Sequence, residues 1–299
     1  SLGGCYFDDN PETPIISPAE PHIALFGVGG DSFAGEGFLV VGLDTAGGTL
    51  RLPVGVTPVD STFPFIWIAN SGEGTISKID VKTGKELGRY RTGPSNINGN
   101  PSRTTVDQDG NVWVGNRNDN TITKVGLNEF GQCVDRNGNG KIDTSTPKAA
   151  VGDTPYDPDV MAWTGSLGDE LGITNAADEC ILLHVELKAE GVSTPGDIRT
   201  VAIDPDNNVF VGGNGTRSIF KVNGATGAIL KAVEPASDVS QSLYGGVVDK
   251  DGNLWSMSSG SGKVQKTSSD LTQTQLIDIG HSGYGIAIDK FGKIWTTEY

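Results

Sequence analysis

One phrase recurs along this chain: an apolar run ending in Asp, a turn rich in Gly and Asn, then an apolar pair around an aromatic. It reads RTTVDQDGNVW over 103–113, TVAIDPDNNVF over 200–210, GGVVDKDGNLW over 245–255 and GIAIDKFGKIW over 285–295, with a weaker copy ending at Trp67. The aromatics of neighbouring copies stand 46, 45 and 40 residues apart, with one gap of 97 between Trp113 and Phe210. Short apolar runs bounded by turn residues are strands. A self-similar unit of roughly 40–50 residues built from such strands marks a propeller blade. The repeat therefore predicts an all-β propeller of four-stranded antiparallel blades, five or six in number, with one long insertion filling the wide gap.

Each copy continues in the same way. A third strand of alternating residues follows the aromatic at 75–80, 121–125, 218–222 and 263–266, and an outer strand follows at 86–90, 228–232 and 274–278. In the second copy the outer strand is delayed until Ile181–Leu187, so 129–180 reads as an insertion inside one blade of a propeller spanning 22–299. Residues 1–21, rich in Pro and acidic side chains, read as an extended arm, and 22–60 hold further strand-like runs at 23–26, 37–41 and 50–54. The last copy stops after its second strand, and half a blade leaves an open edge. Strands within 22–60 would complete it, or residues beyond a truncated sequence, or the N-terminal arm of a neighbouring subunit, which would build a polymer.

The net charge of −15 and pI near 4.5 argue against duplex nucleic acid, whose phosphates need Lys and Arg, and against anionic membrane surfaces. No apolar run reaches the roughly 18 residues of a transmembrane helix. The first residue is Ser, compatible with a processed N-terminus, and Leu2-Gly-Gly-Cys5 matches the short pattern that precedes a bacterial lipidated Cys. Cys133 and Cys180 bracket the insertion. A disulfide between them would staple its base and close a loop worth roughly 4 kcal/mol at most; the alternative is two buried thiols. The disulfide reading places the protein outside the cell or at its surface, the periplasm being compatible too. Cys5 is then the odd thiol: free, lipidated or intermolecular.

Inside the insertion, Asp135-Arg-Asn137-Gly-Asn139-Gly140-Lys141-Ile142-Asp143 is similar to the calcium loop of EF-hand proteins. Side-chain oxygens of Asp135, Asn137, Asn139 and Asp143 and the carbonyl of Lys141 would surround a hard cation, with Gly140 at the sharp turn. Thr146 stands where that family has its bidentate Glu, no helical pattern flanks the loop, and Asp153, Asp157, Asp159 or Glu179 would have to close the shell. The competing reading is a plain Asn/Gly turn. A bound Ca2+ would serve to rigidify an insertion expected to lack a core of its own.

The blade phrase resembles the NHL-like and streptogramin (virginiamycin B) lyase-like propellers over roughly 60–299, apart from the insertion. The lyases are most similar around Tyr284-Gly-Ile-Ala287 and Ile294-Trp-Thr-Thr-Glu298. The resemblance implies a Glu at Glu298 serving metal-assisted elimination, but a His in that family is Tyr284 here. Of the three His, His22 lies in the N-terminal region, His184 in an outer strand, and His281 before the last copy. Glu298 and His281 are thus the sole acid–base candidates. The repeated Asp107, Asp204, Asp249 and Asp289 read as turn formers.

Arg103 and Arg199 open innermost strands and, with Tyr244 and Tyr284, would line a central channel able to hold a small anion or sugar, or would simply satisfy one another. The function expected is a secreted or cell-surface calcium-binding propeller acting as a non-enzymatic binding or assembly module, with the N-terminal arm available to a protein partner or a second copy. The alternative is a lyase- or hydrolase-type enzyme at the channel using Glu298 and a divalent cation.

Overall fold

The computed structural model describes residues 5–7, 42–44, 49–51, 63–95, 98–146, 159–165, 169–289 and 291–298. Its contacts divide the chain into two compact units, Ser1–Phe7 with Phe65–Tyr299, and Asp8–Pro64. The larger begins with β1 (Cys5–Phe7). In the smaller, β2 (Gly42–Asp44) and β3 (Thr49–Arg51) form an antiparallel hairpin; the runs expected at 23–26 and 37–41, and His22, lie outside the described residues.

The rest of the larger unit is a succession of antiparallel sheets. β4 (Phe65–Asn70), β5 (Thr75–Asp80) and β6 (Glu86–Arg91) make the first. β7 (Pro101–Val106), β8 (Val112–Asn116), β9 (Thr121–Val125) and β10 (Ile181–Glu186) make the second, and β10 is the delayed outer strand the repeat predicts. β11 (Ile198–Ile203), β12 (Val209–Gly213), β13 (Ile219–Val222) and β14 (Ile229–Val233) make the third. β15 (Gly245–Val248), β16 (Leu254–Met257), β17 (Lys263–Thr267) and β18 (Thr274–Asp278) make the fourth. β19 (Gly283–Ile288) and β20 (Ile294–Glu298) end the series, and β1 pairs with β20, Tyr6 opposite Trp295. The third strand of the last sheet thus comes from the N-terminal segment of the same chain, a source outside the three expected. The physical demand is the one foreseen: β20 has backbone donors and acceptors along its outer edge that another strand must meet.

The first strands β7, β11, β15 and β19 lie side by side in that order, and apolar side chains fill the space between successive sheets. Trp113, Ile122, Val211 and Phe220 are fully buried between the second and third, Phe210, Ile219, Leu243 and Leu254 between the third and fourth. Close approach depends on glycine two residues after the aromatic. A Cβ on Gly115 would stand 2.5 Å from the Ile198 side chain, and one on Gly212 would stand 2.2 Å from Leu243. At the next junction the roles reverse: Met257 occupies that position, and the glycine is its neighbour Gly283.

The repeated Asp holds each first hairpin. Asp107 Oδ1 accepts the backbone N–H groups of Asp109 and Asn111 at 3.0 and 2.9 Å, and Asp204, Asp249 and Asp289 do the same at the corresponding positions. The second oxygen takes a further donor. It is the ammonium of Lys124 for Asp107 and of Lys221 for Asp204, at 2.9 and 2.8 Å, and the indole N–H of Trp255 for Asp249 and of Trp295 for Asp289. Lys124 and Lys221 also lie over the ring of the phrase's aromatic, 5.3 Å from Trp113 and 4.9 Å from Phe210, as cation–π contacts require. Each then reaches the following sheet, Lys124 donating to the Gly224 carbonyl at 2.8 Å and Lys221 to that of Ser269 at 3.0 Å. Lys78 in the first sheet meets Glu129 at 2.6 Å in the same sense.

The Lys124–Asp107 pair is almost wholly buried, so removing one charge strands the other. Asp107→Asn keeps an oxygen for the turn but leaves the ammonium unpaired, and the expected loss is about 3–5 kcal/mol. Adding Lys124→Met to that variant is expected to recover most of it. Urea denaturation of the two variants beside the parent chain measures both.

Candidate functional site

The insertion leaves the second sheet after β9 through a single turn of 3-10 helix, Asn128–Phe130, and returns at β10. Cys133 and Cys180 form a disulfide across its base, with Cα atoms 4.4 Å apart. Contrary to expectation, the insertion has a small core: Trp163, Ile173 and Ala176 are buried together with Ile181. Trp163 meets the ring of His184 edge-on at 4.9 Å, which anchors that core on the blade.

The sequence-predicted calcium loop folds as a chain of side-chain-to-backbone hydrogen bonds. Asp135 accepts the N–H groups of Gly138, Asn139 and Gly140, Asn137 accepts that of Asn139, and Asn139 accepts that of Lys141. Gly138 and Gly140 both adopt positive φ, 72° and 83°, which is where glycine is needed. The side chains of Asn137, Asn139 and Asp143 converge, both amides donating to Asp143 Oδ2 at 2.9 and 2.7 Å. Hydrogen bonds from Lys141, Asn137 and Asn139 hold the Asp143 carboxyl down to about 2. Glu179, one of four carboxylates named for closing the shell, is buried beneath the loop. One of its oxygens accepts the backbone N–H groups of Arg136 and Asn137, the other that of Asp143. Asp159 forms a bridge with Thr146; Asp153 and Asp157 lie outside the described residues. Among the described residues no three His, Cys, Asp or Glu side chains gather in a group fit for a metal; in this loop two of the donors are amides.

A second cluster lies on the first strands. Arg103 on β7, Arg199 on β11, Tyr244 just before β15 and Tyr284 on β19 come together, although they are drawn from four sheets. The guanidinium carbons of Arg103 and Arg199 lie 5.2 and 4.9 Å from the centre of the Tyr244 ring. The Tyr244 and Tyr284 rings are 4.9 Å apart, and their hydroxyls share a hydrogen bond of 2.9 Å. That bond raises the Tyr244 phenol and lowers the Tyr284 phenol, and the charge of Arg103 adds to the lowering. Arg199 pairs with Asp197 at 3.0 Å and touches Ser102 at 3.4 Å, partners the repeat phrase does not single out. Beside them opens a cavity of about 210 Å3, lined by both arginines and Tyr284 together with Val201, Ile286 and the glycines that begin β15.

The acid–base candidates do not meet. His281 is held through Nε2 by the Thr296 hydroxyl at 3.3 Å and through Nδ1 by the Ser282 carbonyl at 3.2 Å. Glu298 is exposed on β20 opposite Gly283, and no hydrogen bond or ion pair joins it to His281 among the described residues. His184 is buried, its Nδ1 2.8 Å from the Thr123 hydroxyl.

Among solved structures, the chain is similar to the hydrazine synthase of Kuenenia stuttgartiensis, with a TM-score of 0.50 and 11% identity over 82% of this chain and 59% of that one. It is also similar to the virginiamycin B lyase of Staphylococcus aureus, with a TM-score of 0.42 and 18% identity over 78% of this chain and 74% of that one. A further streptogramin B lyase structure gives 0.41 and 18% identity over 86% and 82%. The chain thus spans 59% of the length of the hydrazine synthase chain it matches. No protein-family model and no curated protein matches the sequence. At such identities a likeness speaks of fold alone, and the fold is all-β, a propeller architecture of four-stranded antiparallel sheets. The disulfide is consistent with an extracellular or periplasmic location.

Burial pushes His184 down to about 4 from its ordinary 6.5. The unfolded chain therefore takes up this proton near pH 6.5 while the folded chain resists it until near pH 4. The stability tied to the neutral imidazole is complete above pH 6.5 and falls as the pH drops towards 4, by up to about 3 kcal/mol. Urea midpoints of the parent and His184→Gln between pH 7 and pH 4 are expected to converge as the pH falls.

Proposed function

We propose that this chain is an extracellular or periplasmic propeller that binds calcium in its insertion and acts as a binding or assembly module rather than through an acid–base pair on the blades. The observation that carries this reading is the loop 135–143. Its Asp135, Asn137, Asn139 and Asp143 side chains are drawn inward within one short turn, and Glu179 clamps its backbone from below. The donor set fits the ion. It consists of hard oxygens from two carboxylates, two amides and the Lys141 carbonyl, the amides needing a half-turn to present oxygen in place of nitrogen. Bound Ca2+ would supply positive charge at the centre of the loop. The protein's part is to hold the oxygens in place: Glu179 fixes both ends of the loop, and the disulfide fixes the base on which it stands.

The lyase-like resemblance supports the same kind of scaffold, with Tyr284 where those enzymes carry a His and with His281 engaged by Thr296 rather than by Glu298. A binding role asks only for the scaffold and its surfaces.

Calorimetric titration with Ca2+ after chelator treatment is expected to show one site per chain, with Mg2+ much weaker. Asp135→Ala is expected to abolish the heat, and EGTA to lower the melting temperature of the parent but not of the variant. Absence of both the Ca2+ heat and the EGTA effect in the parent would overturn the calcium reading.

A further inference from the structure

We propose that the cavity beside Arg103 and Arg199 is a binding site for a small organic carboxylate. Nothing in it depends on the calcium loop, which belongs to the insertion. The chain carries a net charge of −15, yet among the described residues the wall of this cavity contains two guanidinium groups and no carboxylate. Asp197 answers Arg199 at its Nε. Arg103 hydrogen-bonds the Tyr284 phenol, while its own Nε is buried without a partner among the described residues. That Nε is closed off from solvent, so an incoming oxyanion would meet the terminal N–H groups of the two guanidinium forks instead.

The shape of the wall narrows the ligand class. Arginine presents paired N–H groups in a planar fork that matches the two oxygens of a carboxylate. The two forks are held in place by the Tyr244 ring beneath both of them, so they are oriented before any ligand arrives. Val201 and Ile286 add apolar side chains to the wall, beside Thr104 and the side-chain-free Gly245, Gly246 and Gly285. This part of the wall suits a compact hydrocarbon body and not a polyhydroxylated ring. With about 210 Å3 of space, a free small acid fits whole. The Tyr284 phenol, lowered by its bond with Tyr244 and by the charge of Arg103, stays a donor to the ligand while protonated and repels it once ionised.

Benzoate and its neutral isostere benzamide test the idea by calorimetry on the full chain with Ca2+ present. Benzoate is expected to bind at least tenfold more tightly than benzamide. Arg103→Met and Arg199→Met are each expected to weaken benzoate by tenfold or more while leaving benzamide unchanged. Raising the pH through the Tyr284 titration is expected to weaken benzoate in the parent and not in Tyr284→Phe. Circular dichroism and melting temperature report whether the Met variants fold; should they not, Arg103→Lys and Arg199→Lys keep the charge but lose the fork and decide the question with a smaller expected loss. Equal affinity for benzoate and benzamide, no binding of either by the parent, or unchanged benzoate affinity in the folded arginine variants would overturn the proposal. A loss of calcium binding would leave these outcomes untouched, so the two readings fail separately.

Discussion

A carboxylate with two jobs underlies the architecture. One oxygen of Asp107 or Asp204 ties down the turn between the first and second strands, and the other meets a lysine from the third strand. The same ammonium rests over the aromatic of the second strand and then crosses to a carbonyl of the next sheet. One interaction therefore sets a hairpin, orders three strands of a blade and joins it to its neighbour. In the last two copies an indole N–H fills the second job instead, at Asp249 and Asp289. A buried ion pair adds little stability over an apolar equivalent. What it does here is fix geometry, since the lysine has few other ways to satisfy its charge between the two sheets.

Much of this architecture is legible in the order of residues alone. The spacing of the aromatics marks the blade, the turn residues mark the hairpins, and the late run Ile181–Leu187 marks the outer strand of the second sheet. Period-two patterns report a strand with one buried face, but β8, β9 and β12 are buried along their whole length, so their polar members are enclosed as well. The third-strand lysines, Lys78, Lys124 and Lys221, stand out as the polar members of alternating strands, but polarity alone does not show that a lysine turns inward to an aspartate. The contribution of Cys5–Phe7 to the last sheet is hidden for another reason. Three residues carry no period, and pairing between the two ends of a chain leaves no local trace.

The candidate sites divide in the same way. Arg103, Arg199, Tyr244 and Tyr284 are legible because each begins a first strand or stands just before one, a position the repeat itself marks. Asp197 and Ser102, which hold Arg199, are not, because both contacts depend on side-chain direction, and that of Ser102 crosses from one sheet to the next. In the insertion, the order of Asp and Asn points to the loop, whereas the anchoring role of Glu179 depends on a fold that brings residue 179 beneath residue 136. The small core around Trp163 escapes a pattern reading because its members, Trp163, Ile173, Ala176 and Ile181, follow neither a strand nor a helix period.

The disulfide at the base of the insertion has a consequence for how the blade tolerates it. Cys133 and Cys180 are 47 positions apart in sequence, yet their Cα atoms stand 4.4 Å apart, about the spacing of neighbouring strands. To β9 and β10, the whole excursion behaves as a tight turn. The polypeptide between the two cysteines can lengthen, diverge or even be cut by a protease without releasing the outer strand, because the covalent path through sulfur remains. The blade has in effect a socket into which a foreign segment can be fitted, and the loop now seated there is one occupant of it.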